Sequence, residues 1–256
     1  MRNVMSHPAA YGRSLASDDV QARLAFLKKV YGLLTLTVVT AMGGAFASLY
    51  FGASTSQLAV TTSSGAQVVV PPLVAFFGNH WIIGGLLFLG SVFGASFVRH
   101  KPGINVVALF GMGFMSGLMA GPAVFVAQLA ATNGTALTLN PVRDAFLLAV
   151  AGFTGLTLYA LVSKRDFSFL RGFLSIGLWV VLGAVVLGFF VQSSVFSLAV
   201  ASGGVLLFGG FILYDTSRML RSPEDRMDPV GATISLFLSF LNMFLFLLRI
   251  FTGGRE

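Results

Sequence analysis

Very few residues of this chain are equipped for chemistry, and the first of them is Asp215. It sits in Phe211-Ile212-Leu213-Tyr214-Asp215-Thr216, where nothing else is charged. A carboxylate at the margin of hydrocarbon is costly to keep, so it marks a functional site and calls for a partner. Arg218, one helical turn on, offers a local partner. Arg99 offers a distant one, because it ends another apolar stretch that runs the opposite way and so lies at the same membrane depth. A bridge from Arg99 to Asp215 would tie two helices together. A third group of polar residues falls in the last apolar stretch: Ser235, Ser239 and Asn242 are spaced by four and three, share one helix face and are expected to look into the bundle. Hydrogen bonding between helices is the plainer use of such a face.

Enzymatic uses of these residues fail one by one. A rhomboid-type serine protease needs Gly two positions before its nucleophile, and Ser116 has Phe114 there. An aspartyl intramembrane protease needs two carboxylates in one site, but no second acid lies within the apolar stretches, and Asp144 falls at the opposite face. A retinal-binding opsin needs Lys in its last span, and none is present between Val230 and Ile250. Cysteine is absent, which removes thiolate chemistry and disulfides, and the three histidines (His7, His80, His100) are scattered rather than paired as a zinc site requires. The chain is therefore expected to be no enzyme and to hold no cofactor or metal.

The elements that position these residues are dictated by composition. Of 256 residues, 56% are hydrophobic and 10% charged, with 26 Phe and 30 Gly, against about 25% charged in an ordinary soluble domain. This is a membrane protein. About 20 apolar residues are needed to cross a bilayer as a helix, and seven stretches qualify: Val30 to Phe51, Leu73 to Val98, Ile104 to Ala127, Val142 to Val162, Gly172 to Val191, Val195 to Asp215, and Val230 to Ile250. Asn79-His80-Trp81 is placed to shorten the second, with Trp81 at an interface. Residues 1–29 read as a basic cytoplasmic tail with a helix from Ser17 to Lys29 leading into the first span, 30–251 as the transmembrane domain, and 252–256 as a short C-terminal tail. The tail has no apolar core of the kind a cleavable signal peptide carries.

Counting cations on alternate sides gives 13 on the side of the N-terminus and 3 on the other. By the positive-inside bias the N-terminus is inside and the C-terminus outside. The net charge of +7 is thus spread by loop as a topology signal and does not form the one-sided patch that nucleic acid would need. Within the third span, Gly113, Gly117 and Gly121 recur every four residues and form a smooth stripe where another backbone can approach, and Pro122 interrupts the hydrogen bonding of the same helix. Tight packing is one reading of this stripe; a broken helix lining a cavity is the other.

These segments resemble a known family. The entry Phe26-Leu27-Lys28-Lys29-Val30-Tyr31-Gly32-Leu33-Leu34, the Tyr214-Asp215 segment and the closing Asn242-Met243-Phe244-Leu245-Phe246-Leu247-Leu248-Arg249-Ile250 are similar to the transmembrane Bax-inhibitor-motif family, in span order over nearly the whole chain. The resemblance implies an all-α bundle of seven transmembrane helices with the last helix near the centre, in a bacterial inner membrane. Bacterial relatives are described as pH-sensitive calcium leak channels, gated by two aspartates and an arginine that latches one of them. By motif position Asp215 matches the first aspartate and Arg99 the latch, while the second aspartate falls at Ser239. Two nearby carboxylates titrate as a pair; Asp215 alone beside Arg99 is expected to stay charged and to act as a latch. A calcium site takes six to eight oxygens, and the nearby acids are Glu224, Asp225 and Asp228. The alternative implied by the family is a non-conducting membrane partner that regulates another complex, such as a membrane-anchored ATP-dependent protease.

Overall fold

A computed structural model describes residues 8–52, 58–61, 65, 67–133, 136–163, 165–188, 190–191, 193–221 and 228–253, with side chains of the first helix from Gln21 onward. Arg2, His7, Lys164, Glu224, Asp225, Arg226 and Arg255 lie outside the described residues. The elements in chain order are α1 (Pro8–Tyr50), a hairpin of β1 (Ala59–Thr61) and β2 (Gln67–Val69), α2 (Pro72–Asn79), α3 (Trp81–Val98), α4 (Ile104–Thr132), α5 (Pro141–Val162), α6 (Leu170–Gly188), α7 (Ser194–Arg221) and α8 (Pro229–Phe251). Seven of these helices, all but α2, are long and apolar enough to cross a membrane. The all-α seven-span bundle expected from hydropathy is what the chain forms.

Local sequence sets where these helices start. Pro72, Pro141 and Pro229 each open a helix at its first turn, where a missing N–H costs nothing. Asn140 and Asp228 then act as N-caps, accepting hydrogen bonds from the amides of Arg143 at 3.0 Å and Gly231 at 2.8 Å. The short turn from α3 into α4 runs through Gly103 at φ +85°, a left-handed conformation that glycine adopts without strain.

Several boundaries differ from the hydropathic reading. The second expected span is broken at His80 (φ −115°, ψ 46°) into α2 and α3, and Trp81 opens α3. The first helix begins at Pro8 rather than Ser17 and runs unbroken for 43 residues. The loop expected between Gly52 and Pro72 contains the β1–β2 hairpin, paired Ala59 to Val69 and Thr61 to Gln67. The sixth span continues past Asp215 to Arg221: hydropathy ends where polar residues begin, but backbone hydrogen bonding does not.

The glycine stripe of α4 is a packing surface. A side chain at Gly113 would meet Thr40 Oγ1 at 2.6 Å and the Thr37 carbonyl at 2.8 Å; one at Gly117 would strike the Ala41 carbonyl, and one at Gly121 the Ser48 hydroxyl. Gly44 of α1 returns the contact against the Phe114 carbonyl. The two backbones thus lie almost in touch, as small residues allow in membranes. Pro122 does not break α4, which remains helical from Ile104 to Thr132.

Burial locates the centre. Half of the α8 span is buried but only 6% of the α6 span, and α8 packs against α1, α3, α4, α5 and α7. One core joins Val30, Leu109, Met112, Leu236 and Phe237; the other joins Ala145, Ala149, Leu207, Ile212, Phe240 and Leu247. Phe97, Trp179 and Leu206 point outward, each more than three quarters exposed. Such a surface would be a liability in water and is appropriate to lipid.

Candidate functional site

Asp215 lies on α7, six residues before the end of that helix, with a relative exposure of 8%. Because the partial negative charge of a helix C-terminus fades within the last turn, Asp215 escapes most of the repulsion that a terminal position would impose. Its Oδ2 accepts a 2.6 Å hydrogen bond from Ser235 Oγ on α8. A carboxylate so far from water requires such donors, since leaving a buried charge unsatisfied costs several kcal/mol. Arg218, a turn further along α7, is exposed.

Arg99 takes a different partner from the one expected. It caps the C-terminus of α3, and its Nε lies 3.2 Å from Asp228 Oδ2 rather than against Asp215. The same Nε donates to His100 Nε2 at 3.1 Å, and its carbonyl accepts from Asn105 Nδ2 at 3.0 Å. Asp228 therefore does two things at once: Oδ1 caps α8 and Oδ2 holds Arg99. The reason is reach. Asp228 is fixed by its capping role at the very start of α8, beside the end of α3, whereas Asp215 is turned inward. The Arg99 latch thus joins α3 to the first turn of α8, and Asp215 is a separate, deeper feature.

The polar face of α8 divides as well. Ser235 reaches Asp215; Ser239, one turn along, is buried at 4% exposure. Asn242 Nδ2 bonds the Leu238 carbonyl of its own helix at 2.8 Å and is half-buried. At the far end of the same helix, Arg249 Nε donates to Ser197 Oγ at the start of α7, 2.5 Å away. α7 and α8 are therefore joined by polar contacts both near Asp215 and at the opposite rim. Gly113, Gly117 and Gly121 lie in the α1–α4 packing seam rather than with Asp215, and Pro122 follows that stripe within α4.

A further set of hydroxyls escaped the sequence reading. Tyr31 of α1 has the hydroxyls of Thr157 of α5 and Thr216 of α7 as neighbours in the interior, Thr216 being next in sequence to Asp215. The signal available was Tyr31 itself, a phenol early in a membrane span that must find polar company. Among the described residues no group of His, Asp and Glu is arranged to hold a metal ion.

Seven spanning helices with α8 at their centre and, among the described residues, one acid buried between α7 and α8 define a multi-pass membrane protein built around an interior carboxylate. Comparison with known proteins supplies the family. The family model described as inhibitor of apoptosis-promoting Bax1 matches residues 23–256. The chain is 35% identical to the Golgi anti-apoptotic protein of Vaccinia virus (strain Lister) over 94% of its own length and 90% of the relative's. It is 34% identical to protein lifeguard 4 of Mus musculus over 93% and 89%, and 35% identical to an uncharacterized membrane protein of Vibrio cholerae over 88% and 87%. The chain belongs to the Bax inhibitor family.

Proposed function

We propose that this chain provides a cation leak path, calcium among its cargoes, through a bacterial inner membrane, with its N-terminus inside, and that it is a transport protein rather than an enzyme. The observation that carries this reading is Asp215, an acid kept in the bundle interior at 8% exposure and hydrogen-bonded across α7 and α8. Such a group is expensive and is retained where ions or protons pass. The clamp from Arg99 to Asp228 holds the end of α3 against the start of α8, so its release would free these two helix ends to separate. With Ser239 at the position where the resemblance places a second acid, this site carries one carboxylate instead of a pair. Purified protein in liposomes loaded with a calcium-sensitive dye tests the reading. Flux above that of empty vesicles, reduced in Asp215→Asn, is expected; none at any pH between about 6 and 8, the range in which a paired-carboxylate relative would respond, rejects it.

A second reading has its own observation. α1 has 43 residues, about 65 Å at about 1.5 Å each, against a hydrocarbon core of about 30 Å. It therefore projects well beyond the bilayer, and Arg23, Lys28 and Lys29 are not buried along it. Such a projection suits a non-conducting regulator of another membrane complex, for example an ATP-dependent membrane protease, and the name of one relative, Golgi anti-apoptotic protein, describes a regulator. Crosslinking followed by mild-detergent purification decides it: recovery of this chain alone counts against a partner.

A further inference from the structure

The turn from α3 into α4 gathers cations whose binding capacity the fold does not use up. Arg99, His100 and Lys101 follow directly on Val98, the last residue of α3. Arg99 meets both Asp228 and His100 through Nε, so the terminal nitrogens of its half-exposed guanidinium are left for another acceptor. Among the described residues no carboxylate pairs with Lys101, whose ammonium stands 5.8 Å from the centroid of the Phe97 ring. A lysine at a membrane surface ordinarily extends its head into water. This one folds back over a lipid-facing ring, where cation–π attraction holds it.

Beside these cations runs a groove. Phe93, Gly94, Ser96 and Phe97 line an open depression of about 630 Å³ on the outer face of α3, and Arg99 closes its end. Phe93 and Phe97 are one turn apart and exposed, while Gly94 between them adds no side chain and would meet nothing within 4 Å if it did. Only 11% of the α3 span is buried, so this face meets the bilayer. The groove is therefore apolar along its length and cationic at one end, which is the profile of a phospholipid with the charges reversed.

We propose that this groove binds one anionic phospholipid, with an acyl chain along Gly94 between Phe93 and Phe97 and the phosphate at Lys101 and the outer edge of the Arg99 guanidinium. Charge complementarity selects this occupant. No acid lines the groove, the planar guanidinium fork matches phosphate oxygens, and basic clusters at the ends of membrane helices attract anionic headgroups. A zwitterionic lipid would bring its own cation to the same place. Because Arg99 also holds Asp228 at the start of α8, the bound lipid becomes part of the contact between α3 and α8. The assignment is independent of whether the protein conducts ions.

Native mass spectrometry of the delipidated full chain, titrated with phosphatidylglycerol or with phosphatidylcholine, tests it. Phosphatidylglycerol should be retained roughly 5- to 30-fold more strongly, the advantage that one or two cations near a membrane surface give an anionic headgroup. Arg99→Gln with Lys101→Gln should abolish that preference. Lys28→Gln with Lys29→Gln removes the same charge from α1 and should keep it. Gly94→Leu fills the groove and should weaken phosphatidylglycerol retention several-fold, with the lipid-free unfolding midpoint unchanged because its side chain enters open space. Equal retention of the two lipids, or equal losses in the two double variants, would show diffuse surface charge and overturn the site, as would phosphatidylglycerol retention unaltered by Gly94→Leu.

Discussion

Ser235 Oγ on α8 donates to Asp215 Oδ2 on α7 at 2.6 Å, so this buried acid accepts from a neutral hydroxyl of the central helix. A hydrogen bond to a charged group contributes about 1.5–3 kcal/mol, more than a neutral pair. Ser235→Ala is therefore expected to lower stability by about that amount, measured as the shift in thermal or denaturant unfolding midpoint in detergent. Ser235→Thr, which keeps the hydroxyl, should recover most of the loss. Equal losses in both variants would show that side-chain volume rather than the hydroxyl matters.

Asp228 combines a helix cap with an ion pair, and substitutions can separate the two. Asn caps as well as Asp, so Asp228→Asn removes only the pairing with Arg99. That pair is partly exposed, 45% on the arginine side, and exposed pairs are worth about 0–1 kcal/mol. Arg99→Gln and Asp228→Asn should each cost less than about 1 kcal/mol, and Asp228→Ala about 1 kcal/mol more through the lost cap. A large effect of Arg99→Gln on unfolding would contradict the surface-pair account.

The α1–α4 seam predicts opposite outcomes for two glycines on one helix. A methyl group at Gly117 would collide with the Ala41 backbone carbonyl, whereas one at Gly111 meets nothing within 4 Å. Gly117→Ala should cost several kcal/mol or prevent folding, since backbone cannot yield as a side chain does. Gly111→Ala should be neutral or slightly stabilising, as alanine favours the helix. Expression and unfolding midpoint in the same detergent compare them directly.

Much of this architecture was legible because the bilayer imposes a length. Seven apolar stretches could only be helices, and Asp215 stood out because charge is rare among them. The Arg99 partner was not legible: matching depth made Asp215 available, but the lateral position of Asp228 is fixed by capping, which hydropathy does not register. The end of α7 was missed for a related reason. Thr216, Ser217 and Arg218 lower hydropathy without breaking a helix, so the span seemed to stop at Asp215. Tyr31, Thr157 and Thr216 carry no shared spacing, being brought together from three helices only by packing.

Outside the spans, one acid offers a pH test. Asp166 accepts a 2.8 Å hydrogen bond from the Ser168 amide, and this bond, the Ser168 hydroxyl and the charge of Arg221 hold its carboxyl below the usual value of 3.8. A depressed folded-state value means that the ionised carboxylate favours the fold. Its contribution is complete above the unfolded-state value, about 3.9, and is lost as pH falls through the lower folded-state value. The midpoint difference between wild type and Asp166→Asn should therefore be constant near neutrality and shrink below about pH 4. A difference that widens on acidification would reverse the assigned sign.

Ser239 lies one turn beyond Ser235 on α8 and is buried, in the position where the family resemblance places a second aspartate. Ser239→Asp would put another carboxylate into the interior that already holds Asp215. Two carboxylates in one low-dielectric site cannot both ionise freely, so they share a proton and titrate as a pair, with one step raised toward neutrality. Calcium flux through liposomes carrying Ser239→Asp should then vary more steeply between about pH 6 and 8 than wild type. Ser239→Asn, equal in size but without a proton to exchange, should keep the shallow profile. If the aspartate variant keeps it too, the missing second acid is not what sets the pH response, and Asp215 must be tuned by other groups around it.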